Sequence, residues 1–535
     1  MLSLFRAAAI ALSLCLVLSA SGQDTGKPKL SETIKGVIDQ PKYKTAHWGL
    51  YVVDARSGDV LLDHQSEKLF APASCTKLFS VAAAFDQLGA DYRFHTRLLH
   101  TGKLDEETKV LKGNLILLAS GDLTMGGRTL PDGTIAFKDN DHTYANGGIK
   151  GQLTDVDPLT GLNQIAKQIA EKVKSIEGDV LIDDRLFEKA EGSGSGPGKL
   201  TPIIINDNVI DFVITPHAEK GKLAKVVHRP QGSAIQVDAQ VETISENQLV
   251  MGRNEGTPWR KNKPSITISS PSPGRYVVRG EMPANHTPLV RVREVDDAAS
   301  HARSLLIDAL ERAGVKVKAS TLGSQSMESL PTSEAVGQLP MVTELVSAPL
   351  SEHARLILKV SHNLHASTLP LIVAAHHHQK SLVQGLKHQG ASLKKLGVPM
   401  EGVSFGGGAG GSRSDYASPK ATVALLQAMA KRPDGAAYRH ALPIVGVDGT
   451  PAGAVNADSP AKGKFQAKTG TLTWNNGLTS NDLMTSKALS GYGETASGRQ
   501  VTFAFFVNNV PVGEDGTSQA GRDLGKLCEL VYRSE

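Results

Sequence analysis

The sequence predicts a mixed α/β domain, of the α+β kind, split by a long β-rich insertion. Three observations carry this reading. Helical periodicity is concentrated towards the two ends of the chain, up to about residue 90 and again from about 340. The stretch between, 91–339, consists mainly of short strand-like runs punctuated by Gly, Pro, Asn and Asp. A chain of 535 residues can also supply roughly two to four domains and a large core. The expected organisation is a leader at 1–22, an α/β domain contributed by 23–90 and 340–535, and an insertion at 91–339 of one or two subdomains.

The leader comes first. Arg6 precedes an apolar run from Ala7 to Leu18, and the small residues Ser19, Ala20, Ser21 and Gly22 follow. That is the charged start, apolar middle and small-residue cleavage zone of a secretory signal. The run is short for a membrane span, although a retained anchor is the alternative reading. Cys15 is not expected to carry lipid, because Leu14 stands where a small residue is needed. No later segment is long and apolar enough to span a bilayer, so a chain exported to the periplasm, or otherwise outside the cytoplasm, is expected. Beyond the leader only Cys75 and Cys528 remain, too few and too far apart for a disulfide framework. Two buried thiols are expected instead. The 58 Lys and Arg side chains nearly balance 54 Asp and Glu, leaving a formal charge of +4, which argues against a nucleic-acid binder or a polybasic membrane binder.

Along the mature chain, Lys29 to Gln40 suits a helix. Trp48 to Val53 and Asp59 to Asp63 read as a strand pair around the turn Ala55-Arg56-Ser57-Gly58. From Ser74 to about Leu88, Leu78, Val81, Ala82 and Phe85 recur at helical steps, and Gly89 ends the run. In the insertion, strands are expected at 115–118, 180–182, 209–214, 235–241, 266–268, 276–278 and 289–292, with one helix near 297–313 and a flexible loop at 192–198. Helices return at 351–359, 366–377, 381–396 and 419–430. Strands follow at 464–474 and 501–508, and a terminal helix at 518–532. The segment Asn475 to Thr495 reads as a long polar stretch that either shapes access to whatever lies beside the preceding strand or is mobile.

Three short motifs carry chemistry. Ser74-Cys75-Thr76-Lys77 places a hydroxyl and an amine on one helix face. A serine needs a base to act as a nucleophile, and Lys77 can serve if burial and a second cation keep it neutral. The same spacing occurs at Ser392 with Lys395 and at Ser459 with Lys462, but only Ser74 follows a Pro-containing loop and opens a strongly apolar helix. That placement aims helix N–H groups and positive potential at the oxygen. Ser361-His362-Asn363 offers a proton relay and an amide, although Ser245-Glu246-Asn247 repeats its pattern. Lys468-Thr469-Gly470, followed by Thr471, occurs once, on a strand-like run. Its Lys and Thr can hold a carboxylate, and its Gly admits a ligand backbone at close range. Each motif alone also fits an ordinary helix cap or turn.

Taken in order, the three elements resemble the serine penicillin-recognising enzymes. The closer resemblance is to the D-alanyl-D-alanine carboxypeptidase/endopeptidase group of class C low-molecular-mass penicillin-binding proteins (the penicillin-binding protein 4 type), which carries a large insertion between the first and second elements. Further stretches are similar to that group: Pro72-Ala73-Ser74; Gly113-Asn114-Leu115 leading to Gly121-Asp122-Leu123-Thr124; Gly178 to Asp183; Leu442-Pro443 with Gly446 to Thr450; and Gln466 to Leu472. There are departures. Leu123 replaces a usual Pro. The loop Gly407-Gly408-Ala409-Gly410-Gly411-Ser412-Arg413 lacks the family's acid and first serine, though Arg413 remains.

The resemblance implies a transpeptidase/β-lactamase-like catalytic domain, an antiparallel sheet flanked by helices, interrupted by the insertion. It implies Ser74 as nucleophile, Lys77 as base, Ser361 as proton relay, and Asn363 as a group that positions the peptide. Lys468, Thr469, Gly470 and Thr471 would bind substrate, with Arg413 beside them, and the N–H groups of Ser74 and Thr471 would form an oxyanion hole. The implied partners are peptidoglycan stem peptides, with β-lactams as inhibitors, and no cofactor or metal. The consecutive His376, His377 and His378 face different sides of a helix and are not expected to converge on an ion. Two alternatives stand beside this reading: a serine β-lactamase, for which no Glu-x-x-Leu-Asn segment is found, and an inactive cell-wall-binding homologue.

Overall fold

The computed structural model describes residues 30–534 apart from 148–149, 246–247, 252–257, 262, 326, 480 and 514–515. The expected leader with Arg6 and Cys15 lies outside the described residues, as do Glu246 and Asn247 of the repeated triplet.

The central sheet takes strands from both ends of the chain. They are β1 (His47–Asp54), β2 (Val60–His64), β3 (Phe465–Asn475), β4 (Asp482–Glu494) and β5 (Gln500–Asn508), in the order β2-β1-β5-β4-β3, with the short strand Val510–Val512 on β4. Every pairing is antiparallel. Strand alternation explains why the middle of β5, Phe503 to Val507, is apolar at every position: Phe503, Phe505 and Val507 enter one core with Leu524 and Leu527, while Ala504 and Phe506 enter the other with Leu78 and Phe79. A strand buried on both faces loses its polar alternation.

Helices cover both faces. They are α1 (Thr76–Leu88), α2 (Leu350–Val360), α3 (Asn363–His376), α4 (Leu382–Lys395), α5 (Pro419–Ala430), α6 (Gly435–Ala441) and α7 (Gly516–Tyr532). α1, α3 and α5 build the first core; α7 builds the second. The mixed α/β architecture with an antiparallel sheet and flanking helices is the one expected. Several elements differ in detail. The helix expected at 29–40 is two single turns, Leu30–Thr33 and Lys35–Ile38. α3 begins at Asn363, three residues early. α6 was not anticipated.

The largest correction concerns residues 475–495. They hold β4, a central strand between β3 and β5, rather than a polar access segment. Its buried positions mix the larger Met484, Leu489 and Tyr492 with small or polar residues, Ser486, Ala488, Ser490, Gly491 and Gly493. Neighbours fill the space that larger side chains would occupy. A Cβ on Gly491 would sit 2.1 Å from Gln466 O, and one on Gly493 would sit 2.3 Å from the Phe465 ring.

Residues 91–339 hold the expected strands and the helix Ala298–Arg312, and also an unexpected helix, Thr160–Lys172. The latter presents Leu162, Ile165, Ala166 and Ile169 to a core shared with Leu305, Leu306 and Leu117. A buried polar network joins this block to the start of α3. Arg128 donates to Asp141 at 2.7 Å and to Asp207 at 2.6 Å. His142 bridges Asp207 at 2.8 Å and Asp211 at 2.5 Å, and His365 Nε2 meets the other oxygen of Asp207 at 2.7 Å. Arg229 completes the network on Asp211 at 2.9 Å. Burial opposes charge on His142, but the Asp211 and Asp141 carboxylates more than offset it and raise the imidazole to about 10. Three carboxylates thus face two guanidiniums and an imidazolium, close to neutrality. Removing one member strands the rest. Arg128→Met is therefore expected to cost about 3–5 kcal/mol of stability, read from the midpoint of urea unfolding.

Candidate active site

The turn Ala73–Cys75 leads directly into α1 and sets Ser74 at its N-terminal end. One turn on, Lys77 is fully buried. Its Nζ lies 2.8 Å from Ser74 Oγ and donates to Asn363 Oδ1 at 2.7 Å and to Ala409 O at 2.8 Å. This arrangement has a direct chemical consequence. A neutral amine has two N–H bonds and one lone pair. Asn363 and Ala409 take the two N–H bonds, and the lone pair is left facing the Ser74 hydroxyl. Burial, then the Lys468 charge, hold Lys77 well below the usual lysine range.

Lys468 is itself fully buried on β3, and burial pushes it down to about 8. Its Nζ donates to Thr469 O at 2.7 Å, and its carbonyl accepts from Cys75 Sγ at 3.3 Å. Gly470 lets the strand lie against the nucleophile turn: a Cβ there would sit 2.4 Å from Pro72 O. The backbone this glycine admits is the chain's own, where a ligand's had been expected. Thr469 Oγ1 donates to Thr450 Oγ1 at 2.6 Å, and Thr471 Oγ1 accepts from Lys487 Nζ at 2.9 Å.

The second motif spans a helix break. Ser361 ends α2 in the left-handed region (φ 64°), His362 caps α3, and Asn363 is its first residue. Two insertion segments hold this break. The Tyr144 hydroxyl donates to Ser361 O. The loop at 192–198 lies against Asn363, whose Nδ2 donates to Ser195 O at 3.4 Å. A Cβ on Gly194 would come within 2.5 Å of that amide.

The altered loop is built into the site by its glycines. A Cβ on Gly408 would sit 2.0 Å from Ala366 O, and one on Gly410 (φ 92°) would sit 1.8 Å from Ala73 O. Between them Ala409 offers its carbonyl to Lys77. The missing acid has a counterpart further along. Asp415 is buried and accepts from the Gly406 and Ser412 N–H groups, each at 2.8 Å. Burial raises its carboxyl, while the Lys77 charge works the other way.

The structure therefore gathers Ser74, Lys77 and Asn363 in direct contact, with Ser361 two residues from Asn363 and Lys468 within electrostatic reach of Lys77. Arg413 stands apart, exposed on the rim of a cavity of about 610 Å³ that Lys68, Tyr416 and Trp474 also line. Sequence reasoning missed Asp415, Tyr144, Lys487 and the Ala409 carbonyl. Only Asp415, an acid close behind the loop, left a readable trace.

The His376–His378 run does not surround a common point; His377 instead stacks on His388 at 3.9 Å between ring centroids. Donor atoms of Asp207, His362 and His365 do lie within 4.8 Å of one another. The Arg128 guanidinium already holds Asp207, so a dication there would meet a fixed positive charge.

Known proteins share this chain's sequence and fold. Residues 30–527 match the D-Ala-D-Ala carboxypeptidase 3 (S13) family. A D-alanyl-D-alanine carboxypeptidase of Actinomadura sp. is 25% identical over 473 residues, covering 83% of this chain and 77% of that protein. The D-alanyl-D-alanine carboxypeptidase DacB of Haemophilus influenzae is 25% identical over 478 residues, covering 87% and 86%. The crystal structure of penicillin binding protein 4 from Haemophilus influenzae superposes with a TM-score of 0.66 at 21% identity, covering 94% of this chain and 99% of that one. The same protein complexed with a novel β-lactam gives 0.65.

Proposed function

Because the chain belongs to the D-Ala-D-Ala carboxypeptidase 3 (S13) family, we propose that it is a serine D-Ala-D-Ala carboxypeptidase or endopeptidase that acts on peptidoglycan stem peptides through an acyl-enzyme on Ser74. The observation that carries this is the Lys77 amine, 2.8 Å from Ser74 Oγ, with its other two positions filled by Asn363 and Ala409.

Ser74 Oγ attacks the carbonyl between the two terminal D-alanines, and its proton passes to neutral Lys77. The N–H groups of Ser74 and Thr471 hold the developing oxyanion, each worth about 3 kcal/mol. The C–N bond then breaks. The proton reaches the departing amine through Ser361, while Asn363 positions the peptide. Water hydrolyses the ester, with Lys77 again as base. Lys468, Thr469 and Thr471 act on the terminal carboxylate, with Arg413 serving a longer stem peptide from the cavity it lines. β-Lactams acylate Ser74 by the same attack on their amide. The leader at 1–22 supports export, which N-terminal sequencing of the mature protein from an envelope fraction checks.

Incubation with purified muropeptides tests the reading. Release of D-alanine identifies the carboxypeptidase and cleavage of cross-linked dimers the endopeptidase; neither product overturns the proposal. The lifetime of a penicilloyl adduct separates it from a β-lactamase, minutes or longer favouring the peptidase.

The pH dependence follows from the two lysines. Lys77 works only unprotonated, and its lowered pKa keeps it so; activity is lost on the acid side as it gains its proton. Lys468 works as a cation, and its proton leaves near 8. kcat/KM against pH is therefore expected to be bell-shaped, with an alkaline limb near 8.

A further inference from the structure

Lys468 and the two threonines of its strand do not share a face. Successive side chains on β3 alternate. Lys468 points inward, fully buried, and its ammonium is tied to the neighbouring carbonyl of Thr469. Thr469 and Thr471 point to the opposite face. There the residue directly across the ladder from Thr471 is Lys487 of β4, whose Nζ donates to Thr471 Oγ1 at 2.9 Å.

Lys487 is half-buried, and burial pushes it down to about 8. Among the described residues no carboxylate pairs with it. It lines a cavity of about 270 Å³ together with Thr450, Thr469, Ser518 and Arg522. No acidic residue lines that cavity among the described residues. Among the described residues, Arg522 meets only the amide oxygen of Gln519. Two cations and three hydroxyls, with no counter-charge among the described residues, suit an anion.

We propose that Lys487 is a positioning residue for the substrate's free C-terminal carboxylate, orienting the Thr471 hydroxyl towards it and supplying the nearest positive charge on that face. The ammonium donates to the Thr471 oxygen, which leaves the hydroxyl proton free to be donated to a carboxylate at the strand edge. Thr469, held by Thr450, presents a second hydroxyl beside it. This rests on the acyl-enzyme reading above and deepens it by naming the group that discriminates a free chain end from an amidated or extended one.

The test compares the second-order rate of Ser74 acylation by benzylpenicillin with that by its methyl ester, in which the carboxylate is masked. The full chain is used as wild type, Lys487→Met, Lys487→Arg and Thr471→Val. The expected result is an acid-to-ester rate ratio that falls about 10- to 100-fold in Lys487→Met, the size of a lost charge-assisted hydrogen bond. Lys487→Arg should restore most of it. Thr471→Val should lower the same ratio independently. A ratio equal to wild type in both Lys487→Met and Thr471→Val overturns the proposal. A wild-type protein acylated by neither compound overturns the peptidase reading itself.

Discussion

Ser74→Ala is expected to abolish labelling by a fluorescent penicillin and to lower kcat/KM for D-alanine release by about 10⁴- to 10⁶-fold. No other hydroxyl of α1 is placed to substitute. Thr76 and Ser80, the nearest on α1, are buried, and Ser80 is tied to Gly408 O at 2.8 Å. The neighbouring Cys75 thiol is buried, and burial raises it to about 11, which keeps it protonated and inert. Deleting the Oγ removes one hydrogen-bond partner of Lys77 but leaves Asn363 and Ala409 in place. The variant should therefore fold. Labelling that persists in a folded Ser74→Ala protein would remove Ser74 from the mechanism.

Lys77→Met should be nearly as severe for a different reason. It removes the base, worth about 10²- to 10⁴-fold, and leaves the Asn363 and Ala409 oxygens without donors. Lys77→Arg should not rescue activity, because a guanidinium stays charged and cannot accept the proton. The substitution also has a signature in stability. Lys77 has a folded pKa well below that of a lysine in the unfolded chain. The unfolded chain binds more protons across that window, so wild-type stability rises with pH there. In Lys77→Met that slope should become shallower, with Lys468 and Lys487 supplying what is left. Urea unfolding at several pH values between neutrality and about 10 measures it.

Much of the fold was readable because its elements bury what their pattern announces. α1 shows Leu78, Val81, Ala82 and Phe85 at helical steps, and all are buried. The helix Thr160–Lys172 had the same signal in Leu162, Ile165 and Ile169, but it sits in a block dominated by strands. β4 failed for a physical reason. Where β4 packs against Phe465 and Gln466 it carries glycine at 491 and 493, and these, with the buried Ser486 and Ser490, break up the apolar signal of Met484, Leu489 and Tyr492. At the site, Ser74 with Lys77 and the Lys468 strand were legible because local spacing sets their geometry. Tyr144 and Lys487 were not, and Asp415 left only the trace of an acid close behind the loop. Each earns its place through contacts between distant segments, and no local pattern encodes those.

The helix break that carries Ser361 and Asn363 is gripped from outside the sheet domain. Tyr144, Ser195, Asp207 and the Arg128 cluster all come from the block at 91–339, and they reach the very turn on which the amide of Asn363 depends. A minimal protein made by excising that block and splicing the flanks would leave His362 and His365 facing water and the left-handed Ser361 unsupported. Nor could a foreign block be grafted in its place unless it brought its own acidic cradle for those two imidazoles.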